Sequence, residues 1–286
     1  MAHGLADQEP AYRDFAVPPV VADAARAWLA TPEDRRAVAE PRRSATVMLL
    51  RDRPELEVFV LRRAGSMAFA AGMLAFPGGG VDTRDADRDV PWAGPSAQEW
   101  AGRLGTDADG ARELVTAAAR EVFEECGVLL AGPAADEVVS DLRDPVWREG
   151  RAALLDRSLS FAELLARHDL VLRTDLLGVR GRWITPECEP RRYDTTFFAA
   201  RMPEGQRADD ASTEAEVAGW RSPGQILQDR EAGRDVLLPP TLVMVEELAG
   251  VSGPDLDDWV REPVQVRPVL PVPVEHGDSL AMRIPR

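Results

Sequence analysis

The chain has 286 residues, 45% of them hydrophobic and 29% charged, enough to bury one large core or two small ones. Arginine supplies all 34 basic charges against 49 acidic ones, so lysine Schiff bases, phosphate-loop lysines and Ser–Lys dyads are excluded. A net charge of −15 argues against non-specific nucleic-acid binding, yet permits an anionic small molecule where arginines or a metal ion reverse the local field.

Cys126 and Cys188 cannot make a disulfide framework, and His3, His168 and His276 are too scattered for a zinc site. The first ten residues lack the basic-then-apolar pattern of a secretory signal, and no apolar run reaches membrane-spanning length. The expectation is a cytoplasmic protein without a membrane partner.

Residues 1–40 read as an N-terminal extension, with Val17-Pro18-Pro19 leading into an amphipathic helix over Val20–Ala30. Strands are predicted at Ser44–Leu50 and Glu57–Arg62, joined as a hairpin through a turn containing Pro54. A third strand, Gly72–Phe76, should break sharply at Pro77-Gly78-Gly79-Gly80. Residues 83–110, rich in Asp, Gly and Pro, read as a surface insertion with one short helix near Ala97–Leu104. A strong helix follows from about Ala111 to Cys126, ended by Gly127 in the left-handed position past the helix end.

Residues 133–170 read as a helical insertion that includes Arg151–Leu155 and Ser160–His168. Strands return at Arg182–Ile184 and Tyr193–Arg201, and short helices at Pro223–Asp229 and Thr241–Ala249. The Pro- and Val-rich stretch Val266–Val274 should be extended, as an edge strand or none. Interleaved strands and helices predict an α/β sandwich over 41–250, with 251–286 as a C-terminal tail packing on it.

The chemistry concentrates in Arg120–Leu129, REVFEECGVL. On a helix Glu121, Glu124 and Glu125 share one face, while Val115, Ala119, Val122 and Cys126 form another that can meet a sheet. Three like charges in one patch repel, and a hard divalent cation such as Mg2+ offsets that repulsion. The plainer alternative is a solvated acidic face neutralised by arginines. Upstream stands Phe76-Pro77-Gly78-Gly79-Gly80-Val81-Asp82, a strand running into a glycine turn.

Together these residues resemble the Nudix hydrolases, whose box reads Gly-x5-Glu-x7-Arg-Glu-U-x-Glu-Glu-x-Gly-U, with U aliphatic. Gly79 matches the opening Gly, and Arg120, Glu121, Val122, Glu124, Glu125, Gly127 and Val128 match the second half without a gap. The resemblance implies an α/β/α sandwich with a mixed sheet. It also implies Mg2+ or Mn2+ held by Glu121, Glu124 and Glu125, with a carbonyl of the Gly79 loop as a further ligand and Arg120 steadying the carboxylates. Arg120 stands 41 positions after Gly79 where the box has 14, so about 27 residues are inserted within it. Counted back from Arg120, the upstream Glu falls on Arg112; the adjacent Glu113 either substitutes or is a surface charge.

An interrupted box resembles the peroxisomal coenzyme A diphosphatase group and its bacterial relatives. Val60-Leu61-Arg62-Arg63, Gly72 before Phe76, Trp183-Ile184-Thr185-Pro186 and Arg191-Arg192-Tyr193-Asp194-Thr195 add to that likeness. Ala64 and Ala68 depart from it, standing where the signature has Ser and Arg. The implied reaction is hydrolysis of a pyrophosphate bond in a small nucleotide, with coenzyme A or an acyl derivative as first choice. Its rivals are ADP-ribose or dinucleotide hydrolysis and, in another class, a non-catalytic nucleotide-sensing domain. For substrate contacts the candidates are Arg63, Arg191, Arg192 and Tyr193. The arginines read equally as a strand-surface cap and as ion-pair partners of Glu187 and Glu189, and Trp183 and Tyr193 as core. A general base is sought among the box glutamates, Glu214 and Glu216. Resemblance also leaves a homodimer open.

Overall fold

The run Ser44–Leu50 is polar only at Ser44 and Thr46, and its end Val47–Leu50 is apolar without alternation, as a strand covered on both faces requires. In the computed structural model it forms the middle of a long strand. The structure describes residues 12–17, 19–52, 54–63, 72–87, 89–209, 215–277 and 279–285.

In chain order the elements begin with β1 (Tyr12–Ala16), α1 (Pro19–Ala30), β2 (Arg42–Arg51), β3 (Glu57–Arg63), β4 (Leu74–Ala75) and β5 (Gly78–Gly80). Then come β6 (Trp92–Ala93), α2 (Ala97–Leu104), α3 (Ala108–Cys126), β7 (Ala131–Gly132), α4 (Pro145–Leu155) and α5 (Phe161–Arg167). Next are β8 (Val171–Arg173), β9 (Leu177–Ile184), β10 (Tyr193–Arg201), β11 (Ala215–Arg221), α6 (Pro223–Glu231) and α7 (Pro239–Ala249). The chain closes with α8 (Leu256–Arg261), β12 (Pro268–Val269), β13 (Val272–His276) and β14 (Ser279–Pro285).

Two compact units result, one of Met1–Pro41, Ile184–Tyr193 and Pro268–Arg286, the other of Arg42–Trp183 and Asp194–Arg267. In the second, the sheet runs β11-β3-β2-β10-β9, with β4 added on β3 and β5 on β2. Ala45, Val47, Leu49, Phe59, Leu61, Phe198 and Ala200 point to one face and share a core with α2 and α3. Their alternate neighbours Met48, Leu50, Val58, Val60, Phe197 and Ala199 are buried on the other. On α7, Leu242, Met244, Val245 and Leu248 are buried, and the Met244 methyl reaches the backbone of β9 at Gly181. The expected α/β/α sandwich is thus present, and a smaller sheet β6-β8-β7 contains a parallel pair, β6 with β8.

Helix α3 begins on Asp107, whose side chain caps Gly110, and Val115, Ala119, Val122 and Cys126 are fully buried. It ends at Gly127, φ 67°, whose N–H returns to the Phe123 and Val122 carbonyls.

In the first unit β1 pairs antiparallel with β14 and β14 with β13, so strands from the extension and the tail share a sheet. Asp14 accepts from Arg283 Nε at 2.8 Å and bonds His276 Nε2 at 2.6 Å, while Phe15, Met282 and Ile284 are buried.

Two expectations need correction. The expected break is present at Phe76-Pro77, between β4 and β5, but Gly78, Gly79 and Gly80 form a short strand rather than a turn, paired to Thr46, Ala45 and Ser44. Residues 83–110 are not a surface insertion: Asp85, Val90, Trp100, Ala101 and Leu104 are all buried. The segment's polar composition hides this, because only a few of its residues are apolar, and three of those on α2, Trp100, Ala101 and Leu104, share one buried side. Helix α8 and strands β1 and β14, short and of mixed polarity, also escaped the pattern.

Trp100 is fully buried, edge-on to Phe198 with ring centroids 6.0 Å apart. Trp100→Ala should therefore cost roughly 3–5 kcal/mol in chemical denaturation. A surface loop would show changes within about 0.5 kcal/mol.

Candidate active site

The glycine strand β5 lies along α3, and each of its residues meets the box helix. Gly78 N–H donates to Glu125 Oε2 at 2.7 Å, and the Gly80 carbonyl accepts from Arg120 Nη2 at 2.9 Å. Between them, a Cβ on Gly79 would lie 2.6 Å from Glu121 Oε1, so any side chain there would push the Glu121 carboxylate from its place.

Arg120 organises the acids. Its Nε donates to Asp85 Oδ1 at 2.9 Å and its Nη2 to Asp85 Oδ2 at 3.0 Å, a bidentate pair. Its Nη1 reaches Glu121 Oε1 at 2.7 Å and Glu124 Oε2 at 3.1 Å. With Gly80, all five N–H donors are used. Asp85 is itself fixed in a short 3-10 turn, Thr83–Ala86, where Asp82 N–H donates to Asp85 Oδ2 and the Asp82 side chain accepts from Arg84 N–H. Arg84 holds Asp82 from the other side through Nε and Nη2, at 3.1 and 2.9 Å.

Burial dominates the electrostatics. It pushes the Glu121 carboxyl up to about 7 despite Arg120, with the nearby charges of Glu124 and Asp85 adding repulsion in the same direction. Burial raises Glu124 as well. Arg120 is driven the other way: burial opposes its charge, but the Asp85 hydrogen bonds and the surrounding acids outweigh that and lift it further. One cation thus faces three carboxylates, a surplus of negative charge that suits a hard divalent ion. No three His, Cys, Asp or Glu side chains converge as a ready-made metal cluster among the described residues. Glu121 and Glu124 turn to Arg120, and Glu125 to the Gly78 amide.

Residues 108–248 match the family model described as the NUDT19 Nudix domain. The chain is 26% identical over 230 residues to putative nudix hydrolase 7 of Caenorhabditis elegans, spanning 79% of this chain and 68% of that protein. A crystal structure of a NUDIX hydrolase from Alicyclobacillus acidocaldarius superposes with a TM-score of 0.65 at 26% identity, covering 78% of this chain and 97% of its own. The chain belongs to the Nudix hydrolase superfamily. It is accordingly a pyrophosphohydrolase, of a superfamily whose members generally use divalent metals.

With the Nudix box located, its missing acid is visible. Counting six positions forward from Gly79 lands on Asp85, and it is Asp85 that pairs with Arg120. The extra residues therefore lie between the acid and Arg120. Counting backward placed the acid at Arg112 or Glu113, and both are elsewhere engaged. Arg112 stacks on Trp92 at 4.7 Å, and Glu113 pairs with Arg43 at 3.0 Å. Of the two readings left open for Glu113, it takes the second, a partly exposed ion-pair residue.

The substrate candidates are dispersed. Arg63 ends β3, where its backbone pairs with Ala215, and its side chain lies outside the described residues. Arg191 is exposed. Arg192 is a correction: it is buried, donating to the Thr185 carbonyl at 2.9 Å and the Ala39 carbonyl at 2.8 Å. It therefore fastens chain segments within the first unit and pairs with neither Glu187 nor Glu189. Tyr193 donates its N–H to Thr185 Oγ1 at 3.0 Å. Trp183 and Phe76 are core. Glu214 lies outside the described residues, and Glu216 is placed only as part of β11. Cys126 is buried, Cys188 half-buried, and both are free thiols. Among the described residues no helix is long and apolar enough to cross a membrane.

The Arg120–Asp85 pair is buried on both sides, whereas Arg43–Glu113 is partly exposed. Asp85→Ala should destabilise by about 3–5 kcal/mol, since it strands a buried charge. Glu113→Gln should cost about 0–1 kcal/mol. Urea denaturation of the two variants checks this, and equal losses would contradict the placement of Asp85.

Proposed function

We propose that this Nudix hydrolase splits the pyrophosphate bond of a nucleoside diphosphate derivative at the Glu121, Glu124 and Glu125 face, with coenzyme A or an acyl-coenzyme A as substrate. The observation that carries the reading is the fully bonded Arg120, which gathers Asp85, Glu121 and Glu124 beside a glycine strand. A sensing domain that had lost catalysis would have no need to hold these acids against their own repulsion. Hydrolysis would release 3′,5′-ADP and a 4′-phosphopantetheine, the added water giving one oxygen to the new phosphate and its protons to solvent.

Mg2+ or Mn2+ would be held by Glu121, Glu124 and Glu125, with a carbonyl of the Gly79 loop, and would supply charge neutralisation at the phosphate oxygens and activation of water. Arg120 keeps the acids gathered while remaining charged. Gly79 leaves the carboxylate of Glu121 room beside the strand. Glu214, Glu216 and the box glutamates remain the candidates to take the proton of the attacking water.

Support for coenzyme A comes from the description of the matched family model and from the segment Trp183–Thr195. Ala64 and Ala68 favour a second reading, an ADP-ribose or dinucleotide substrate. Product formation with Mg2+ across coenzyme A, acetyl-coenzyme A, ADP-ribose, NADH and diadenosine polyphosphates should be fastest with the coenzyme A compounds. Good turnover of another compound with none of coenzyme A would remove that choice. Glu124→Gln should lower kcat by about 100-fold or more while leaving far-UV dichroism unchanged. An unaltered rate would place the chemistry elsewhere.

A further inference from the structure

The last turn of α3 has an electrostatic fault that its own sequence does not repair. Glu124 and Glu125 lie at the negative end of the helix dipole, and the turn has no basic residue. Its carbonyls also lack partners within the helix. Both deficits are met from α4, in the helical segment after the box. Arg151 donates from Nε to the Glu124 carbonyl at 2.8 Å and from Nη1 to Asp209 Oδ1 at 2.6 Å. The Asp209 N–H in turn donates to the Cys126 carbonyl at 3.0 Å. The Arg151 side chain is only 9% exposed, and its Nη2 is buried without a hydrogen-bond partner.

A buried guanidinium with one nitrogen unanswered is a poor device for stability, because a methionine of similar length would pack there without the desolvation cost. We infer that Arg151, braced by Asp209, is a positioning residue that locks the final turn of α3 and so sets where the Glu124 and Glu125 carboxylates stand. The inference rests on the function proposed for those glutamates and deepens it. Arg151 touches no reacting atom and acts through the Glu124 backbone and the charge it places at the helix end.

The test compares Arg151→Met, Arg151→Lys and Asp209→Asn with the wild type. Arg143→Met, in an exposed pair with Asp141, serves as a control. Four readouts are needed: thermal midpoint, amide hydrogen exchange at 124–127, Mn2+ binding by electron paramagnetic resonance without substrate, and kcat against KM. For Arg151→Met the expected result is a thermal midpoint near that of the wild type, faster exchange at 124–127, and Mn2+ affinity and kcat each lower by about 10- to 100-fold. KM should change little. Arg151→Lys should recover part of the loss, Asp209→Asn should show a smaller loss, and Arg143→Met should show none. Wild-type Mn2+ affinity and kcat in a folded Arg151→Met would overturn the inference. So would a loss of Mn2+ binding without faster exchange at 124–127. Should Arg151→Met fail to fold, Arg151→Lys and Asp209→Asn decide it by the same readouts. A wild type that neither binds Mn2+ nor hydrolyses any pyrophosphate would instead defeat the underlying functional reading.

Discussion

Burying a guanidinium among carboxylates costs least when each of its N–H groups finds an acceptor, and Arg120 at the candidate site meets that condition. Asp85 takes two of its bonds, Glu121 and Glu124 one each, and the Gly80 carbonyl the fifth. Every contributing element is constrained by this. Strand β5 must run close enough for Gly80 to accept, and Gly79 must lack a side chain for Glu121 to fit. The turn Thr83–Ala86 must aim Asp85 inward, which its capping interactions accomplish. Removing any one acceptor leaves a buried donor or charge unanswered, so the bonds of the arrangement are coupled to one another.

The residues between the two halves of the Nudix box take part in this architecture. Asp85 closes the ion pair at one end of the stretch, and Trp100, Ala101 and Leu104 join the core beneath α3 at the other. An interruption that enters the core can lengthen the loop without loosening the helix, since loop closure grows only slowly with length while burial is gained. The segment after the box acts similarly: α4 brings Arg151 to the opposite end of α3. The acidic face is thus held by Asp85, the acid of the box's first half, and by Arg151, from outside the box.

Much of this was legible in the sequence. The apolar stretch Val47–Leu50 of β2 and the helix stop at Gly127 follow from local rules and are found in the structure. The missed features are those whose partners are remote in sequence. Asp85 is hidden in the spacing back from Arg120, which the inserted residues disrupt, and its signal is the unbroken spacing forward from Gly79. Arg192 looked like a phosphate ligand because charge says nothing about burial, and in the structure it answers backbone carbonyls at Thr185 and Ala39. Arg151 had no signal at all, since nothing in a stretch of helix announces that its arginine will cap another helix. The sheet of the first unit was equally hidden, because its strands come from opposite ends of the chain.

The central claim is that the acids gathered by Arg120 form a cation site. Anomalous scattering from crystals soaked in Mn2+ tests it most directly. The account predicts a manganese peak bonded to carboxylate oxygens of Glu121, Glu124 or Glu125, with Arg120 still paired to Asp85. Manganese bound elsewhere, with Glu121 and Glu124 still turned onto Arg120, would contradict it.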